Sequence, residues 1–142
     1  TEKDETDTEL AIEQALSLQP TRVVVTGVTG GRLDHFEAAL RILVRYQLAY
    51  PKVEFTIVNK QNELSVLVEP GMHSLEARGY DYISFFAVDG PISCVTLRGV
   101  KYETTCETIE RFSSRFTSNE IVAEDASISF ESGICLVIRS HD

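Results

Sequence analysis

The spacing of apolar residues changes once along the chain, and the change divides it into two halves. In "LAIEQALSL" the positions Leu10, Ala11, Ala15 and Leu18 share one helical face, and Thr6 followed by Glu9 forms a capping box ahead of them. A helix over about 7–18 is expected, ended by Pro20. "RVVVTGV" is an unbroken β-branched run, the pattern of a strand covered on both faces in a parallel sheet. Phe36, Ala39, Leu40, Leu43 and Val44 then recur at intervals of three and four, which predicts a second helix over about 35–50 before Pro51. "VEFTIVN" closes the unit as a strand, so the first half reads as part of a parallel α/β layer.

After Lys60 the pattern becomes short and alternating, in "ELSVLVE", "YISFFAV", "ISCVTLR", "ASISFE" and "ICLVIRS", with turn signals such as "EPG", "VDGP" and "ESG" between the runs. This half predicts a small β-sandwich, jelly-roll-like, interrupted by "TCETIERFSSRF" as a helical turn or long loop. The expected organisation is α/β followed by all-β, with domains over 1–60 and 61–142.

Composition narrows the function classes. The chain has 142 residues, 43% of them apolar, and a net charge of −9. That balance argues against nucleic-acid or anionic-membrane binding, since both require a cationic face. No apolar run approaches the roughly 20 residues that cross a bilayer, and a cytoplasmic location is expected. Cys94, Cys106 and Cys135 are odd in number and unevenly spaced, and are read as free, buried thiols. The chain begins at Thr1 within the polar run "TEKDETDTEL", which fits a piece of a longer protein.

Two stretches carry candidate chemistry. In "GVTGGRLDHFEAAL" a strand runs into a turn with Gly30 and Gly31, followed by Arg32, Asp34 and His35 at the start of a helix. Glycines let a backbone approach a ligand closely, helix N–H groups favour phosphate, and Arg32 supplies a planar donor fork. The same residues also fit a plain strand-to-helix turn, with Asp34 and Glu37 as a second capping box. Asp4, Glu5 and Asp7 cluster at the first helix, where acids suit the helix dipole or, beside a phosphate site, a Mg²⁺ ion.

These stretches, with "GVKYETTCETI" and "SNEIVAEDASISFESGICLVI", occur in an order and spacing that resembles the thiamine pyrophosphokinases nearly end to end. The resemblance implies transfer of pyrophosphate from ATP to the hydroxyethyl group of thiamine, with Mg²⁺, in a homodimer whose β-sandwich helps form the thiamine site. By position it implies Asp7 and Asp4 as metal and phosphate ligands, with Gly30, Gly31 and Arg32 at the nucleotide phosphates. Asp34 falls beside the reacting hydroxyl, as base or orienting acceptor. Ser118 and Asn119 fall in the thiamine pocket, facing the site of the other subunit, while His35 is secondary. The family's earlier "G-D-x-D-S" segment has no match here, so residues 1–142 alone are expected to be inactive. A pyrophosphokinase of another heterocyclic alcohol, such as a hydroxymethylpterin, and a non-catalytic thiamine-binding or dimerisation module stay open as alternatives.

Overall fold

A computed structural model describes residues 6–142. Asp4 and Glu5 lie outside the described residues. Helix α1 (Asp7–Leu16) starts at the expected capping box: the Thr6 hydroxyl accepts from the Glu9 N–H at 3.1 Å, and the Glu9 carboxylate accepts from the Thr6 N–H at 2.7 Å. Its buried stripe differs from the expected one. Ile12 and Glu9 are buried, whereas Leu10 is 52% exposed and Leu18, beyond the end of the helix, 82%. Glu9 goes inside because Arg45 pairs with it, and that pairing together with the Thr6 N–H holds its carboxyl below the usual carboxylate range.

Strand β1 (Arg22–Val25) leads through a glycine turn to helix α2 (Leu33–Ala49) and back to β2 (Glu54–Val58), which pairs with β1 in parallel. The helix between them is the crossover that parallel neighbours require. It buries Ala39, Ile42, Leu43 and Tyr46, spaced as one helical face. Gln47 fastens its end to the sheet, donating to the Val53 carbonyl at 2.7 Å and accepting from the Phe55 N–H at 3.2 Å. Among the described residues β1 is the outer strand of its sheet, and Val24 is 49% exposed.

From β2 the chain turns through Asn59 into β3 (Asn62–Leu67), and the sheet continues without a break across the expected 60/61 boundary. β9 (Cys135–Ser140) and β5 (Tyr82–Ala87) complete a five-stranded sheet in the order β1-β2-β3-β9-β5, in which only β1 and β2 are parallel. β4 (Gly71–Ser74), β8 (Ser127–Phe130), β6 (Ile92–Arg98) and β7 (Thr104–Ile109) form an antiparallel second sheet in that order. The large sheet is therefore a shared wall. Leu64, Val66 and Leu136 face the helices, while Ile83, Phe85, Cys135 and Val137 face the second sheet.

Two sequence expectations are corrected in the second sheet. Residues 105–109, read as part of a helical turn or loop, belong to strand β7, paired with β6 through two register irregularities. Cys94 and Cys106, read as free buried thiols, are joined by a disulfide across that pair, with Cys106 exposed, and only Cys135 is a buried free thiol. No helix among the described residues is long and apolar enough to cross a membrane.

Gly99, at the end of β6, has φ +72° and an added Cβ would come within 2.7 Å of the Ala126 backbone. Gly79 has a similar φ, +85°, with open space around it. Gly79→Ala is expected to lose about 1 kcal/mol of stability from the left-handed backbone alone. Gly99→Ala adds a backbone clash and is expected to lose at least about twice that, measured by chemical denaturation. Equal losses would mean that the close approach at Ala126 is absent. Alkylation of the unfolded, unreduced chain is expected to modify one cysteine, and of the reduced chain three, read by mass; three in both cases would remove the disulfide.

Candidate functional site

Strands β1 and β2 both end toward the same edge, and there the chain makes the turn that joins β1 to α2. Ligands of open α/β sheets bind at the carboxyl ends of such strands. Gly27 and Gly31 take positive φ, +79° and +81°. Gly30 does not, but it lines the adjoining cleft. Asn59, just beyond β2, donates from Nδ2 to the Thr29 hydroxyl at 3.0 Å, and its Oδ1 accepts from the N–H groups of Gln61 and Asn62. The exit of β2 thus braces the turn after β1.

The cleft beside this turn measures about 330 Å³ and is lined by Asp7, Gly30 and His35, together with Thr6, Thr8 and Val28. The start of α1 and the start of α2 therefore face one space, and Asp7 is brought to the glycine turn although 23 residues separate it from Gly30. A larger cavity of about 480 Å³ lies at the other end of β2, near Pro51 and Glu54, and contains none of the candidate residues. The chemistry of the lining, not the volume, selects between them.

Arg32 and Asp34 sit on the exposed start of α2, outside that lining. The guanidinium grips the carboxylate as a fork, Nη2–Oδ2 2.6 Å and Nε–Oδ1 3.1 Å, with the two side chains 69% and 63% exposed. Asp34 Oδ1 also accepts the His35 N–H at 2.9 Å. The expected Asp34–Glu37 capping box does not form: Arg32 is the N-cap residue and makes no side-chain cap, and Glu37 pairs with Arg41 at 3.2 Å. The Arg32 guanidinium, assisted by the His35 N–H, holds the Asp34 carboxyl below its usual range. A carboxylate in that state orients a hydroxyl well and takes its proton poorly.

Ser118 and Asn119 are not brought to this cleft. Their segment hydrogen-bonds along β5, Asn119 exchanging both backbone bonds with Ile83 at 2.9 Å and Ser118 donating its N–H to the Ser84 hydroxyl at 2.9 Å. β5 and β1 are opposite edges of the five-stranded sheet, and four strand spacings place them on the order of 19 Å apart. Ser118 is exposed with φ +63°, whereas Asn119 is 5% exposed. Asn59, which braces the turn, carries only a turn-residue signal in the sequence and was not among the expected site residues.

Residues 1–57 match the family model described as "Thiamin pyrophosphokinase, catalytic domain", and residues 72–135 match "Thiamin pyrophosphokinase, vitamin B1 binding domain". The thiamine pyrophosphokinase of Bacillus subtilis (strain 168) is 35% identical over 142 residues, 99% of this chain and 65% of that protein. The chain thus spans just under two thirds of that relative. The crystal structure of thiamine pyrophosphokinase from Bacillus subtilis superposes with a TM-score of 0.89, covering 99% of this chain and 65% of that one. The one from Geobacillus thermodenitrificans superposes at 0.86 with 36% identity, covering 100% and 64%. Thiamin pyrophosphokinase from Candida albicans, 20% identical, shares the fold at a TM-score of 0.73 over 98% of this chain and 54% of its own. With both domain models matched in order along one continuous fold, the chain belongs to the thiamin pyrophosphokinase family.

Proposed function

We propose that this protein transfers the pyrophosphoryl group of ATP to the hydroxyethyl group of thiamine, giving thiamine diphosphate and AMP. The observation that carries the reading is the convergence of Asp7 with the glycine turn and His35 on one cleft at the carboxyl end of the parallel strands. The match of residues 72–135 to a vitamin B1 binding domain favours thiamine over another heterocyclic alcohol and over a module without chemistry.

In this reading the thiamine hydroxyl oxygen attacks the β-phosphorus of ATP, the bond from that phosphorus to the oxygen bridging to the α-phosphate breaks, and AMP leaves as the hydroxyl proton is lost. Such transfers need alignment and charge neutralisation more than covalent help. The turn with Gly30 and Gly31 brings backbone close to the phosphates, and Arg32, whose fork holds Asp34, supplies a permanent positive charge beside them. Asp34, kept ionised by Arg32, accepts a hydrogen bond from the hydroxyl and aims it.

Asp7 offers an exposed carboxylate at the cleft, the hard oxygen donor that Mg²⁺ takes together with phosphate oxygens and water. It fits such an ion, and Asp4 is assigned as its companion ligand. When bound there, Mg²⁺ would neutralise phosphate charge.

The separation of Ser118 and Asn119 from the cleft supports a homodimer in which the β5 edge of one copy completes the cleft of its partner. Asp34→Asn is expected to cut AMP release by about 100-fold or more at an unchanged melting temperature. Ser118→Arg, which fills the thiamine pocket, is expected to be inactive also. Mixing the two inactive proteins through a dissociation and reassociation step is expected to restore about one quarter of parental activity, because half the dimers are mixed and each carries one intact site. No restoration would place Asp34 and Ser118 in the same site of one copy.

A further inference from the structure

The irregular pairing of β6 with β7 centres on two cysteines. From the pair of Ile92 with Ile109 to that of Val95 with Glu107, β6 advances three residues and β7 two. From there to the pair of Leu97 with Thr104, β6 advances two and β7 three. Each strand carries one extra residue and the two offset, so the ends of the ladder share a register and its centre is displaced by one place. Cys94 lies in the first bulge and Cys106 in the second, both with left-handed backbone, φ +53° and +47°. Burial explains the bulges: Ile92 and Val95 are both buried, as are Thr104 and Ile109, and only an extra residue lets positions an odd number apart share one face. Left-handed backbone at two non-glycine residues works against this arrangement, and the disulfide ties the two bulges together.

The bond is reachable from water. Cys106 is exposed, on the outer strand of the second sheet among the described residues, and Cys94 is half-buried. Thr104 and Thr105 are held without the disulfide, by Arg98, which donates to the Thr104 carbonyl and the Thr105 hydroxyl. The displaced part of β7 instead connects to the far edge of the large sheet. Glu107, next to Cys106, pairs with Arg115, whose guanidinium lies 5.0 Å from the Phe116 ring centroid. The Phe116 carbonyl accepts from the Phe85 N–H at 3.0 Å, two residues before Ser118 donates to Ser84. Opening the disulfide leaves the start of β7 and the buried Ile92 and Ile109 in place and loosens the stretch between them, which anchors Arg115.

We propose that Cys94–Cys106 is a reversible thiol–disulfide exchange site for small-molecule thiols, and that its state sets the order of the segment from Glu107 to Ser118. A thiolate attacks Cys106 Sγ, forming a mixed disulfide there and releasing the Cys94 thiolate. A second thiolate attacks the outer sulfur of the mixed disulfide and releases the Cys106 thiolate. The two protein thiolates take up the protons the small thiols lost, so two small thiols are oxidised to one small disulfide as the protein disulfide is reduced to two thiols. The consequence for activity rests on the thiamine reading, in which Ser118 lies in the thiamine pocket. The exchange chemistry does not.

The test equilibrates the full natural protein in reduced or in oxidised glutathione and reads cysteine alkylation by peptide mass, amide hydrogen exchange, and the apparent KM for thiamine and for ATP. The peptides carrying Cys94 and Cys106 are expected to be alkylated in the reduced medium and protected in the oxidised one. Reduction is expected to accelerate exchange of the Ser118 and Phe85 amides at least about 10-fold, with β9 unchanged. It is expected to raise KM for thiamine about 5-fold at constant ATP parameters, and re-oxidation to restore the first value. Cys94→Ser combined with Cys106→Ser is expected to give the reduced-form values in both media; the parent in its two media carries the test should that variant fail to fold. Equal alkylation in the two media, or unchanged exchange at Ser118 and Phe85, would overturn the proposal. So would an unchanged KM for thiamine, or a difference between media that persists in the double variant, since another thiol would then carry it. If the parent releases no AMP with thiamine in either medium, the thiamine reading is what fails, and alkylation and exchange decide the site alone.

Discussion

At β3 and β9 both faces of the five-stranded sheet are buried, and this requirement constrains everything around it. Side chains along a strand alternate between faces, so β3 and β9 must each satisfy two cores at once. In β9 the alternation is complete: Cys135 and Val137 face the second sheet, and Leu136 and Ile138 face the helices. A slip of one residue in β9 would exchange the two sets. The register is consistent across the sheet, since Val137 lies opposite both Ser65 and Phe85 on the sandwich side, and Leu136 opposite both Val66 and Phe86 on the helix side. The two segments matched by separate domain models are therefore parts of one continuous wall, and neither core is closed without it.

The same wall sets where chemistry occurs. At one edge the parallel pair opens onto the glycine turn and the start of α2, and the first turn of α1 is held over it by Glu9 with Arg45 and by the Tyr46 hydroxyl donating to Glu13 at 2.6 Å. Burial pushes the Tyr46 phenol up to about 12, so this tie keeps its proton at any physiological pH. At the other edge the Ser118–Asn119 segment runs alongside β5. A rigid sheet keeps these two edges apart in one copy, and this separation is the physical reason that a second copy enters the functional account.

The elements built on strong local periodicity were legible in the sequence. The start of α1, the face of α2 and the strands that feed the wall follow from spacing and caps. What was not legible depended on partners distant in the chain. Glu9 reads only as the capping-box partner of Thr6 until Arg45, 36 residues on, is seen beside it. β7 was obscured because "TTCET" is largely polar and its pairing with β6 is irregular. Without β7, nothing in the sequence placed Cys106 opposite Cys94. The glycine turn was found, but the mutual grip of Arg32 and Asp34 was not, since two residues so near in sequence can also diverge. Asn119 was singled out by its resemblance to a ligand-binding position, while its bonds to Tyr102 arise only when the two sheets are stitched together.

The most direct measurement is a crystal structure of the full natural protein with Mg²⁺, thiamine and a non-transferable ATP analogue. The account predicts the analogue's phosphates at the turn of Gly30 to Arg32, the thiamine hydroxyl within hydrogen-bond reach of Asp34 of the same copy, and the thiamine rings against the segment around Ser118 from the other. Thiamine held between Asp34 and Ser118 of a single copy, or phosphates seated away from the glycine turn, would contradict it.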